Sequence, residues 1–176
     1  MRFHPLAHTA FFAAATALAT APALADADQD KGFAAQVEGS EDAITGTVRI
    51  TPTASGVMRV SVDLEGVPAG PHGIHIHETG DCSASDFKSA GGHVAGDAKH
   101  GVSVEGGPHP GDLPNAEVGS DEKLVVTHFN ERLTADHLTD DDGAAFIVHS
   151  GADDYESQPA GDAGARIACG VFEPAS

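Results

Sequence analysis

Met58-Arg59-Val60-Ser61-Val62-Asp63-Leu64-Glu65 alternates apolar and polar residues without a break. Successive side chains of a β-strand point to opposite faces. This octet therefore reads as a strand with one face on a core and the other in water. The same period recurs upstream: Ile44, Gly46, Val48 and Ile50 share one face of segment 43–51, and Thr45, Thr47 and Arg49 share the other. Segments 33–37, 123–129, 143–149 and 165–172 read as shorter strands. Helical signals are weak, because glycine and proline recur throughout and aromatic residues are few. Strand follows turn follows strand with no βαβ unit, which predicts an all-β fold, an antiparallel barrel or sandwich. Two long segments interrupt the rhythm: 80–115, rich in Gly, Pro, Ser and His, and 150–164, polar and acidic. Loops beyond about 12–15 residues in a compact domain usually carry function or are disordered. The first holds four potential metal ligands, which favours function.

Residues 1–25 read as a secretory signal peptide. Arg2 gives a positive start, Ala10 to Leu24 is apolar but too short and too weakly apolar to span a bilayer, and Ala23-Leu24-Ala25 is a small-x-small cleavage signal. Residues 26–176 then form one domain, with no internal repeat. This part keeps all 27 acids and eight of the nine bases, a formal net charge of −19. Such acidity argues against nucleic acid or an anionic membrane as partner of the mature form. Export places Cys82 and Cys169 in an oxidising compartment, where two cysteines most simply form one disulfide; two separate buried thiols are the alternative.

The segment Pro71-His72-Gly73-Ile74-His75-Ile76-His77-Glu78 carries the chemistry. On a strand, His75 and His77 face the same way, at a separation that suits one metal ion. His93 follows Gly91-Gly92, where the backbone can approach a site closely. His100 stands in Lys99-His100-Gly101, His109 and Asp112 in Pro108-His109-Pro110-Gly111-Asp112-Leu113, and His149 ends Phe146-Ile147-Val148-His149. His128 and His137 have no motif partner and read as surface or hydrogen-bonded residues.

In these motifs, and in Gly80-Asp81-Cys82, Ser89-Ala90-Gly91-Gly92-His93 and Gly164-Ala165-Arg166-Ile167-Ala168-Cys169-Gly170, the chain resembles the secreted, bacterial type of copper/zinc superoxide dismutase. The motifs run in the family's order over nearly all of residues 26–176. The resemblance implies a Greek-key β-barrel with two functional loops. It implies copper on His75, His77, His93 and His149, zinc on His93, His100, His109 and Asp112, and His93 shared between them. It implies a disulfide between Cys82 and Cys169, and catalytic roles for Arg166, beside the copper channel, and for His93. Asp153 matches the carboxylate that links ligands of the two metals through His75 and His100, although a one-residue shift in the loop would exchange it with Asp154. His72 would tie the ligand strand to neighbouring backbone.

The donor sets suit these metals. Three His and one Asp make a closed tetrahedral set, as structural zinc requires, and four imidazoles suit Cu(II). The implied reaction converts superoxide to dioxygen and hydrogen peroxide. The alternative is a non-catalytic exported copper/zinc-binding protein, a copper carrier or buffer on the same fold; inactive members of the family's fold usually lose a copper ligand or the arginine, and here all are present. The acidic surface repels an anionic substrate, but at about 0.15 M salt the Debye length is only about 8 Å, so local charge decides. Arg166 supplies it, and Lys88 is a candidate helper. The signal peptide suggests the bacterial periplasm or release outside the cell, and the resemblance implies a monomer or a homodimer.

Overall fold

The computed structural model describes Met1 and residues 32–40 and 43–175. The expected signal segment, residues 1–25, lies outside the described residues apart from Met1. Nine strands are present among them: β1 (Phe33–Gly39), β2 (Thr45–Pro52), β3 (Met58–Glu65), β4 (Gly70–His72), β5 (Ile74–His77), β6 (Ala116–Val118), β7 (Lys123–Asn130), β8 (Ala145–His149) and β9 (Arg166–Pro174). Seven join in one antiparallel sheet in the order β5-β8-β9-β1-β2-β3-β7, and β4 pairs with β6. Strands β1, β2 and β3 follow one another as antiparallel neighbours, and β9 returns by a long connection to lie beside β1, which is the Greek-key arrangement.

The alternation in β3 does what its pattern predicts. Met58, Val60, Val62 and Leu64 are buried and pack with Val48 and Ile50 of β2 and with Leu124 of β7. β8 is buried on both faces. Phe146 and Val148 point into the main core, while Ala145 and Ile147 lie under the first long loop with Phe87, Ala90 and Cys169. Strands β4 and β6 escape the period-2 reading because three residues are too few to show alternation. The turns Lys88–Ala90 and Ala135–Leu138 are single 3₁₀ turns, also too short for a helical period.

Strand β5 lies at the edge of the sheet, and the first long loop covers its open side. The Gly111 carbonyl accepts from Ile76 N–H, Val94 N–H donates to the Ile76 carbonyl, and the Gly92 carbonyl accepts from Glu78 N–H, each at 2.9 Å. These bonds pair His77 with His93 and His75 with Asp112 across the two segments. Gly111 cannot carry a side chain, because a Cβ there would overlap the Ile76 carbonyl.

The same loop is fastened to β9 by the disulfide Cys82–Cys169, which closes a separation of 87 residues. Loop-closure entropy for that length gives an upper figure of about 4–5 kcal/mol. Replacing both cysteines with serine is expected to lower the melting temperature by about 10 °C. An unchanged melting temperature would remove the bridge from the account of stability.

Candidate metal centre

Two groups of donors converge under the loop. Ring nitrogens of His75, His77, His93 and His149 all lie within 4.8 Å of one another, and so do donors of His93, His100, His109 and Asp112. His93 belongs to both. The strands set this up: His75 and His77 project from the face of β5 opposite Ile74 and Ile76, which sit in the core. His149 comes from the end of the neighbouring β8, at an irregularity in its pairing with β9.

In the first group each ring is fixed through one nitrogen and leaves the other free. His75 Nε2 bonds Asp153 Oδ2 at 2.8 Å, and His77 Nδ1 faces the Gly91 carbonyl at 3.0 Å. His149 Nδ1 reaches the Gly164 carbonyl at 3.4 Å, and His93 Nδ1 lies 2.9 Å from Asp112 Oδ1. The remaining nitrogens, His75 Nδ1 and the Nε2 atoms of His77, His93 and His149, are buried and have no hydrogen-bond partner. A buried polar atom without a partner costs about 1–3 kcal/mol. Four of them lying within 4.8 Å of one another could hold a cation, and the contact at the other nitrogen orients each ring.

The second group centres on Asp112. Its Oδ1 lies 2.9 Å from His93 Nδ1, 3.1 Å from His100 Nδ1 and 3.3 Å from His109 Nδ1. Its Oδ2 accepts backbone N–H groups of Gly101 and His109. His100 Nε2 donates to Asp153 Oδ1 at 3.0 Å. The ring nitrogens of His93, His100 and His109 thus gather round one carboxylate in a buried site, a set that could hold a cation.

Asp153 therefore stands between the two groups, accepting from His75 on one oxygen and His100 on the other. It is buried and Asp154 is exposed, so the carboxylate in contact with both rings is that of residue 153. Arg166 is half-buried near the first group. It donates to the Phe87 and Gly91 carbonyls, both at 2.6 Å, and to no carboxylate. Among the described residues the carboxylate influence on it is that of Asp86, which acts through space without a hydrogen bond. Lys88 is exposed and paired with Asp86 at 2.9 Å. His72 is close to the carbonyls of His149 and Pro68, at 2.7 Å each, and joins β4 to the end of β8. His137 caps its 3₁₀ turn. His128 departs from its reading as a surface or hydrogen-bonded residue: it is half-buried on β7, and its Nε2 has no partner.

Sequence reading missed four residues that shape the centre. Asn115 and Gln158 bond the backbones of Asp153 and His100. Tyr155 donates its N–H to Asp153 Oδ1. Gly161 (φ +68°) packs against the His100–Asp153 bond, where a Cβ would overlap Asp153 Oδ1 and lie 2.6 Å from His100 Nε2. The only prior signal was the unusual length of the two loops.

Burial holds His75, His77 and His149 neutral in the metal-free fold, with pKa values pushed down from 6.5 to about 3, about 2 and about 4. Burial alone would raise Asp153, but hydrogen bonds from His75, the Tyr155 N–H and His100 outweigh it and lower the value to about 2. Asp112 is likewise lowered, by His93 and two backbone N–H groups acting against burial. Below pH 6.5 the unfolded chain takes up protons that the folded histidines refuse, so stability falls with pH. Below about 3.8 the two carboxylates add to the loss as the unfolded chain protonates first. The metal-free protein is expected to lose melting temperature steadily from pH 6.5 to 4. A flat profile over that window would contradict the burial of these rings.

The sequence pattern of the family described as copper/zinc superoxide dismutase (SODC) matches residues 44–172. A superoxide dismutase [Cu-Zn] of Aquifex aeolicus is 38% identical over 151 residues, covering 82% of this chain and 88% of that one. One from Caulobacter vibrioides is 36% identical over 147 residues, with 79% and 84% covered. The crystal structure of a SOD-like protein from Bacillus subtilis superposes with a TM-score of 0.71 at 35% identity, covering 78% of this chain and 96% of that one. A Greek-key sheet, two donor sets meeting at one histidine, and this agreement along most of the sequence lead to one conclusion: the chain belongs to the copper/zinc superoxide dismutase family.

Proposed function

We propose that this protein is an exported superoxide dismutase in which His75, His77, His93 and His149 hold copper and His93, His100, His109 and Asp112 hold zinc. The observation that carries it is His93, whose Nδ1 belongs to one donor set and whose Nε2 belongs to the other. Copper, when bound, supplies one-electron chemistry in both directions, so that one superoxide is oxidised to dioxygen and the next reduced to hydrogen peroxide with two protons.

The protein residues do the remainder. Arg166, held by two neutral carbonyls, offers its guanidinium to a small anion beside the first donor set. Burial lowers its pKa, but guanidinium titrates so high that it stays charged at neutral pH. His93 Nε2, the unpartnered nitrogen of the shared ring, is the atom placed to hold a proton and pass it on. In the metal-free fold Asp112 Oδ1 lies 2.9 Å from Nδ1 and orients that ring, with both donors already turned toward the zinc position. Asp153 fixes His75, and the Gly91 carbonyl fixes His77, so the donor set keeps its shape while charge changes.

Export of residues 26–176 to the periplasm fits the small-x-small motif and the disulfide between Cys82 and Cys169. The acidic surface disfavours nucleic acid and anionic membrane as partners. The test is direct. Protein reconstituted with copper and zinc should suppress superoxide-driven dye reduction. Bound copper without suppression would instead support the carrier reading.

A further inference from the structure

The two long loops grip each other through side-chain amides. Gln158, in the second loop, accepts the His100 N–H at Oε1 (3.0 Å) and donates from Nε2 to the His100 carbonyl (2.8 Å). Asn115, at the end of the first loop, does the same in reverse. Its Oδ1 accepts the Asp153 N–H and its Nδ2 donates to the Asp153 carbonyl, both at 2.8 Å. Each loop thus fixes the backbone of one residue in the other. The two residues held are the pair joined by the His100 Nε2–Asp153 Oδ1 bond.

Tyr155 completes the contact. Its N–H donates to Asp153 Oδ1 (2.6 Å), its carbonyl accepts from Ser103 N–H (3.2 Å), and its hydroxyl accepts from Asn115 N–H (2.7 Å). It does so at φ +65°, a conformation that a bulky side chain keeps only where its surroundings enforce it.

We propose that Gln158 is a positioning residue. Its carboxamide, reciprocated by Asn115 and Tyr155, holds the His100–Asp153 bond in place, so that occupancy of the zinc set governs the copper set through His75. The connection is continuous: His100 to Asp153 Oδ1, and Asp153 Oδ2 to His75 Nε2. This inference rests on the assignment of the two donor sets given above. Gln158 is exposed and belongs to neither set, so replacing it leaves the core and all ligands intact. Hydrogen-bond partners of metal ligands typically change metal affinity by about 10–100-fold when removed.

The protein contains one tyrosine and no tryptophan, so its near-ultraviolet emission reports on this contact without a label. The experiment compares wild type with Gln158→Met in three ways. These are zinc release from the copper- and zinc-loaded protein into excess chelator, the visible copper band, and tyrosine emission as zinc is added to metal-free protein. Expected for Gln158→Met are zinc release about 10–100-fold faster, a copper band moved toward that of the zinc-free protein, and an emission change that needs more zinc. The metal-free melting temperature should fall by no more than a few degrees, as the loss of two hydrogen bonds requires. Gln158→Glu keeps the acceptor for the His100 N–H and should fall between the two, and Asn115→Ser should move in the same direction as Gln158→Met. Zinc release at the wild-type rate with an unchanged copper band would overturn the positioning role. Wild type that takes up no zinc would overturn the donor-set assignment and the inference with it, and that failure would already show before any variant is made.

Discussion

Gly161→Ala is expected to strip the protein of zinc at concentrations where wild type stays loaded. The new methyl would overlap Asp153 Oδ1 and stand 2.6 Å from His100 Nε2, on top of the bond between them. Neither partner can retreat: His100 and Asp153 are buried, and Gln158 and Asn115 hold both backbones. Forcing a methyl into such a site costs about 1–3 kcal/mol, and the left-handed backbone of residue 161 adds about 1–2 kcal/mol for any L side chain. Zinc affinity should fall by about 10–100-fold or more, measured by competition with a chromogenic chelator. Gly106→Ala is the control, since φ there is +88° but no atom lies within 4 Å of a Cβ. If the two variants lose zinc equally, steric pressure on the bond is not the cause.

Arg166→Ala should keep both metals and lose most of the rate. The guanidinium meets two backbone carbonyls and no carboxylate, so its charge acts on whatever approaches the first donor set. In a chain with a formal net charge of −18, one cation beside the site, free of any carboxylate hydrogen bond, decides whether an anion arrives and how it sits. Losing it is expected to lower kcat/KM by about 10–100-fold. The salt dependence of the rate should weaken as well, because the charge that salt screens has gone. Arg166→Lys should recover part of the rate, since it restores charge but cannot bridge both carbonyls as the planar fork does. Stopped-flow superoxide decay at low and moderate salt checks this. Metal-replete Arg166→Ala at the wild-type rate would remove the residue from catalysis.

Much of this protein is legible in its sequence because strand periodicity and donor spacing are local. Alternation in β3 and β2 fixes which faces are buried, and the His75-Ile76-His77 triplet fixes two ring directions as soon as it is read as a strand. The edges of the expected strands moved by a residue or two. Segment 43–51 became Thr45–Pro52, and 143–149 became Ala145–His149, because hydrogen bonding, not side-chain pattern, ends a strand. Spatial convergence is not local. His93, His100, His109 and Asp112 are carried by an irregular loop, and only the resemblance of their ordered motifs to the family linked them before the fold was seen. Least legible was the support around them. Asn115, Tyr155, Gln158 and Gly161 are ordinary polar, aromatic and glycine residues in sequence. Their work is done by backbone hydrogen bonds between two loops and by the absence of a side chain, neither of which leaves a pattern.

The central claim is that residue 93 offers one nitrogen to each of two ions. Anomalous diffraction at the copper and zinc absorption edges, from crystals of the loaded protein, tests it most directly. The account predicts two peaks on opposite sides of that ring, copper beyond Nε2 among His75, His77 and His149, and zinc beyond Nδ1 among His100, His109 and Asp112. A single peak, or two peaks of which only one touches His93, would contradict it.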